Sequence, residues 1–152
     1  YALGKLKRYQ EAIEMYDLGL KTHPNEKILL INKISSLRKI KKYQDALNIC
    51  DKILNHTPDD NIALYHKERI LYSIGHYEKS IMCCDAILAS YPENAEVLFD
   101  KASSLAKLQD QKTIPMLATA ISIDPNLKLK AKKHEAFASW ISNQDFVRLV
   151  SD

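Results

Sequence analysis

Residues 37–58 read LRKIKKYQDALNICDKILNHTP, and residues 71–92 read LYSIGHYEKSIMCCDAILASYP. Superposed, they align Leu37 with Leu71, Tyr43 with Tyr77, Ala46 with Ser80, Leu47 with Ile81, Leu54 with Leu88 and Pro58 with Pro92, every pair separated by the same interval. Residues 3–24 carry the same series a third time, with Leu3, Tyr9, Ala12, Ile13, Leu20 and Pro24. A fixed period of this length marks an array of structural repeats, each burying its apolar face against the next.

Within one period the pattern is helical. Leu30, Ile34 and Leu37 step by four and three, which places them on one helix face. Beyond the Lys-Lys-Tyr break, Ala46, Leu47, Ile49, Cys50, Ile53 and Leu54 form a second, wider apolar stripe. Pro58 then ends the helix, because proline cannot donate to the helical ladder and restricts the residue before it. Asn25, Asp59, Asp60, Asn94 and Asn126 follow the periodic prolines and are suited to capping the next helix. Strand-like alternation is missing, so the chain reads as a row of helix–turn–helix units.

Composition agrees. Of 152 residues 46% are apolar and 27% charged, which argues against disorder, and 3 glycines are too few for a turn-dense β architecture or phosphate-binding loops. No apolar run approaches the roughly 18 residues that span a bilayer. The net charge of +3 is too mild to imply nucleic acid. Cys50, Cys83 and Cys84 are odd in number and lack metal or redox spacing, which favours a reducing, cytoplasmic setting. The chain starts at Tyr1 without an initiator Met, inside an incomplete first helix, so further repeats are expected before it.

The period, the helix pair and the set Leu37, Tyr43, Ala46 and Pro58, repeated as Leu71, Tyr77, Ser80 and Pro92, resemble the tetratricopeptide repeat (TPR). That family usually has a large aromatic where this chain has Leu30, Leu64 and Leu98, and a small residue where it has Ile34, Glu68 and Ala102. The resemblance implies an all-α, right-handed superhelical solenoid of antiparallel helix pairs with a C-terminal capping helix. The expected units are a partial first repeat 1–26, a second 27–60, a third 61–94, a degenerate fourth 95–126 and a cap 127–152. In the fourth the tyrosine column is lost near Asp110, and Pro115 falls in the first turn of a helix starting near Thr113. In the cap, Leu129, Ala136, Phe137, Trp140 and Ile141 are expected on an apolar stripe opposite Lys128, Lys130, Lys132 and Lys133. Asn143 would cap a last helix that packs back through Phe146, Leu149 and Val150.

Lys33, Lys67 and Lys101 follow Asp17, Asp51 and Asp85 at one constant spacing, which predicts a ladder of structural ion pairs. Cys50 and Cys84 fall in the apolar column of Tyr16 and read as buried packing residues. The histidines show no metal-protease spacing and no nucleophile motif is present, so no catalysis, metal or cofactor is expected.

The resemblance further implies a concave groove lined by the first helix of each pair. Its candidate residues are Ile31, Ser35, Arg38, Tyr65, Arg69, Tyr72, Phe99, Ser103, Ala106 and Lys107, with Asn32, His66 and Asp100 at the rim. Tyr and Arg are the types enriched at binding hot spots. The family mode that clamps a C-terminal carboxylate needs Asn and Lys where this chain has Ile31 and Ser35, so chaperone tails are disfavoured. The expected function is non-catalytic recognition of a protein or peptide with acidic and apolar residues. The alternatives are a nucleic-acid-binding solenoid, through 38–42 and 128–133, or a scaffold or sensor arm of a larger enzyme or regulator. Self-association through the N-terminal edge is a further expectation.

Overall fold

Helices form where the apolar stripes demand them. The computed structural model describes residues 2–151, and every regular element among them is helical. In order they are α1 (Ala2–Thr22), α2 (Lys27–Lys39), α3 (Tyr43–His56), α4 (Asn61–Ser73), α5 (Tyr77–Ser90), α6 (Ala95–Lys107), α7 (Thr113–Ile123), α8 (Leu127–Lys133), a 3₁₀ segment (Glu135–Trp140) and α9 (Gln144–Val150). The chain divides into two compact units, one ending at Ile70 and one beginning at Leu71. In the first, α1 packs on α2 and α2 on α3; in the second, α5 packs on α6 and α6 on α7. Among the described residues no helix is long and apolar enough to cross a membrane.

In the first unit α2 buries Leu30, Ile34 and Leu37, the stripe read from the sequence, together with Ser36. α3 buries Ala46, Leu47, Cys50 and Ile53. The Asp60 carboxylate accepts a hydrogen bond from the Ala63 amide at 3.0 Å, capping α4, and forms an ion pair with Lys27. Burial raises the Asp60 pKa, but the Lys27 and backbone hydrogen bonds outweigh it and hold the group below the usual carboxylate range. Asn94 and Asn143 cap α6 and α9 by the same geometry. Asn25 and Asn126 do not: the residue before α2 is Glu26, without a side-chain cap, and Asn126 is already helical.

The N-terminal stretch departs from the repeat. Where the second and third periods turn before Tyr43 and Tyr77, α1 continues unbroken through Tyr9. Residues 2–8 are all exposed, with Leu3 at 83%. At such exposed positions no packing offsets the local preference of Leu, Lys and Arg for helix, and a Lys7–Glu11 pair one turn apart adds to it.

The turns obey a periodicity that the sequence hides. Lys41 (φ 61°), Gly75 (φ 83°) and Gln109 (φ 55°) all adopt the left-handed conformation, each one repeat period after the last. Glycine takes this conformation freely, whereas other residues are strained there by roughly 1–2 kcal/mol. Gly75→Ala is therefore expected to cost about 1 kcal/mol even though its added Cβ would meet open space. Chemical denaturation measures it.

Three ion pairs join successive helices as the sequence predicts: Lys33 to Asp17, Lys67 to Asp51 at 2.6 Å, and Lys101 to Asp85 at 2.5 Å. The aspartates are about half exposed, so each pair contributes only about 0–1 kcal/mol. Cys50, Cys83 and Cys84 are all buried and none is in a disulfide.

The core of the second unit gathers Leu98, Phe99, Ala102, Leu117, Ala120, Ile121, Phe137, Trp140, Phe146 and Val150. α7 starts at Thr113, with Pro115 in its first turn, where the missing amide costs no helical bond. The C-terminal region is not one striped helix. His134 is extended (φ −78°, ψ 132°) and separates α8 from the 3₁₀ segment. The break turns Leu129 and Ile141 outward, 58% and 69% exposed, contrary to their expected place on the apolar stripe. Ala136, Phe137 and Trp140 are buried instead against α6. α9 packs back through Phe146 and Val150, with Leu149 partly buried.

Candidate partner-binding surface

The first unit keeps its candidate residues at the surface. α2 presents Ile31, Ser35 and Arg38, and α4 presents Tyr65, His66 and Arg69, all partly exposed. Arg38 Nη1 lies 3.1 Å from His66 Nδ1. A guanidinium can only donate, so this ring nitrogen is the acceptor and carries no proton. The Arg69 guanidinium sits 4.3 Å over the Tyr65 ring, a cation–π contact that holds the charge flat against the face. Beneath it, the Glu68 carboxylate is 1% exposed and approaches Arg69 Nε at 3.6 Å.

The electrostatics follow from this crowding. Burial and the neighbouring Arg69 both lower the Arg38 pKa, while Glu68 works against them. Burial, then Arg38 and Arg69, push the His66 pKa from 6.5 down to about 4. Between those values the unfolded chain binds a proton at His66 that the folded protein refuses. The His66 contribution to stability therefore falls as pH drops from 6.5 to about 4 and is constant below. His66→Gln, which retains an acceptor for Arg38, is expected to flatten this slope in denaturant titrations across the window. His134 shifts in the same direction, so the difference between variant and parent isolates His66.

The second unit differs. Phe99, Ser103 and Ala106 are 0%, 2% and 0% exposed and unreachable by a partner, which corrects the expectation that they line an open groove. The chain's own residues 134–140 pack on their helix, α6. Phe99 meets His134 edge-on at 5.5 Å and Phe137 at 5.6 Å, and Trp140 Nε1 donates to the Ala106 carbonyl at 3.2 Å. The Tyr72 hydroxyl donates to one oxygen of Glu135, and Lys107 Nζ donates to the other at 2.8 Å. These two donors hold the Glu135 pKa below the usual carboxylate range, and the same contacts raise Lys107. Tyr72 rises as well, through burial and then its bond to Glu135. Tyr72 and Lys107 are thus committed within the unit, and Asp100 is partly buried on α6.

The lysine run is also partly used in packing. Lys130 Nζ lies 4.5 Å over the Phe99 ring, and Lys128 donates to the Ser151 carbonyl at 3.1 Å. Sequence reasoning marked Tyr72, Phe99 and Lys107 as partner contacts but did not find Glu135, their shared counterpart. The signal was the acid–aromatic pair Glu135 and Phe137 in a segment otherwise read as a lysine-faced cap.

Solved structures share this fold. One described as MamA RS-1 ArsTM double mutant is 20% identical over 97% of this chain and 89% of its own, with a TM-score of 0.72. MamA 41-end from Desulfovibrio magneticus RS-1 gives 20% identity over 97% and 88%, with a TM-score of 0.73. YrrB, described as a TPR protein with an unusual peptide-binding site, gives 23% over 84% and 68%, with a TM-score of 0.74. A search of curated proteins returns no match. The family model for the Psidin N-terminal TPR repeats region matches residues 2–142. With the regular sequence period and the paired helices, that match means the chain belongs to the family of Psidin N-terminal TPR repeat regions.

Proposed function

We propose that the chain is a non-catalytic protein-interaction module that binds a peptide or helix of a partner on the α2 and α4 face of its first unit. One observation carries this reading: Arg38, Tyr65 and Arg69 are gathered and partly exposed, and the apolar Ile31 and small Ser35 share the face of α2 that carries Arg38. Tyr and Arg supply large contact area and directional charge, the usual makings of a binding hot spot. The partner we infer offers acidic and apolar groups, since two guanidiniums on one face favour negative charge and repel positive. YrrB, of the same fold, is described as having a peptide-binding site, which supports the class of ligand. Three buried cysteines outside any disulfide support a cytoplasmic setting.

Selection of binders from a random peptide library on the full chain tests the reading. The selected peptides are expected to protect α2 and α4 from hydrogen exchange. Arg69→Glu should weaken them by about tenfold or more, since a hydrogen bond to a charged group contributes about 1.5–3 kcal/mol; the variant also deprives the buried Glu68 of an ion-pair partner, so affinity is measured below its own, lower melting transition. Binders that protect other helices, or that ignore Arg69→Glu, would place the function elsewhere.

A further inference from the structure

Building on that reading, we propose that the Arg38–Tyr65–Arg69 face selects a partner segment with a carboxylate two residues before an aromatic ring. The chain carries its own example of such a segment. In the second unit Glu135 is held by Tyr72 and Lys107, while Phe137 lies edge-on to Phe99. The repeat register relates the two faces. One repeat period back, Tyr72 becomes Arg38, Phe99 becomes Tyr65 and Ser103 becomes Arg69.

The substitutions keep the chemistry and strengthen it. Tyr72 gives a carboxylate one neutral O–H donor, whereas Arg38 offers a charged planar fork, which holds carboxylates more tightly. Phe99 forms a T-shaped pair with Phe137, and Tyr65 offers a ring of the same kind that is still partly exposed. Lys107 supplies the cation that pairs with Glu135 in the second unit; in the first, Arg69 over Tyr65 adds a second cation to Arg38. His66 accepts from Arg38 and adds no charge of its own. Glu68, buried beside Arg69, is the acidic group that opposes a ligand carboxylate. The side chains of Arg38, Tyr65 and Arg69 remain partly exposed, whereas Phe99 and Ser103 are buried, Phe99 against His134 and Phe137.

The test uses the full chain and a blocked synthetic peptide of residues 133–141 (KHEAFASWI), with versions carrying Gln for Glu135 or Ala for Phe137. Calorimetry is expected to show binding of the parent peptide. Loss of either peptide group should weaken it about tenfold or more, as for a charge-assisted hydrogen bond. Arg38→Glu in the chain should do the same. Losing Arg38 relieves its repulsion with Arg69 but also takes a favourable charge from the buried Glu68; Arg38→Gln, which brings no carboxylate near Glu68, is therefore the second variant should Arg38→Glu melt early. Library-selected peptides should independently show Asp or Glu two residues before Phe, Tyr or Trp. Selected binders of other composition on the same face would overturn this inference and leave the interaction-module reading standing. Absence of any binder would end both. Self-association of the chain abolished by Arg38→Glu would show that a second copy fills the face, and would also overturn it.

Discussion

Phe137→Ala is expected to destabilise the second unit by about 3–5 kcal/mol, the usual effect of deleting a buried aromatic side chain. Phe137 is 1% exposed and lies between Phe99, edge-on, and Phe146, stacked at 5.6 Å. Removing it leaves a void between α6, α9 and the 3₁₀ segment, and the aromatic contacts on both sides are lost. Trp140 is the one tryptophan of the chain and sits close by in the same segment, donating to the Ala106 carbonyl. Its fluorescence therefore reports this region selectively during urea unfolding. Phe137→Leu keeps much of the volume and should cost distinctly less. An unchanged Trp140 transition in Phe137→Ala would mean that residues 134–140 do not dock on α6.

Glu68→Gln is expected to move stability and binding in opposite directions. The carboxylate is buried, lies 3.6 Å from Arg69 and interacts favourably with Arg38. Breaking a fully buried charge pair costs about 3–5 kcal/mol; partial exposure of both arginines brings the expected loss to about 2 kcal/mol. The same change removes the negative charge that competes with a ligand carboxylate. Affinity for acidic peptides should rise while the melting temperature falls. Weaker binding of an acidic peptide by Glu68→Gln would show that Glu68 positions the arginines rather than opposing the ligand.

Helix positions were legible because they depend on spacing alone. Leu30, Ile34 and Leu37 declare a buried face by their steps of four and three, and Pro58 declares a stop, whatever surrounds them. The Lys33–Asp17, Lys67–Asp51 and Lys101–Asp85 pairs were legible for the same reason, since repetition fixes both partners at once. Other features carried no local signal. The left-handed residues at 41, 75 and 109 are Lys, Gly and Gln, so only one of the three announces the turn. Packing of the paired helices imposes the rest. Where that packing is missing, at residues 2–8, the turn disappears and α1 runs on.

The candidate surface divides along the same line. Spacing placed Ile31, Ser35, Arg38, Tyr65 and Arg69 on first-helix faces, and the first unit presents all five at least partly exposed. Phe99 and Ser103 held the same standing in the sequence, because the repeat register treats every unit alike. Only the tertiary structure returned residues 134–140 to α6 and covered Phe99, and it leaves Ser103 buried as well. Periodicity by itself determined that this is an array of paired helices, because burying an apolar stripe once in every period admits little else. Which of those helix faces stays open was decided by a contact between Phe99 and Phe137, more than one full period apart in the chain. No spacing encodes it: it exists only once the His134 break lets the segment turn back onto α6.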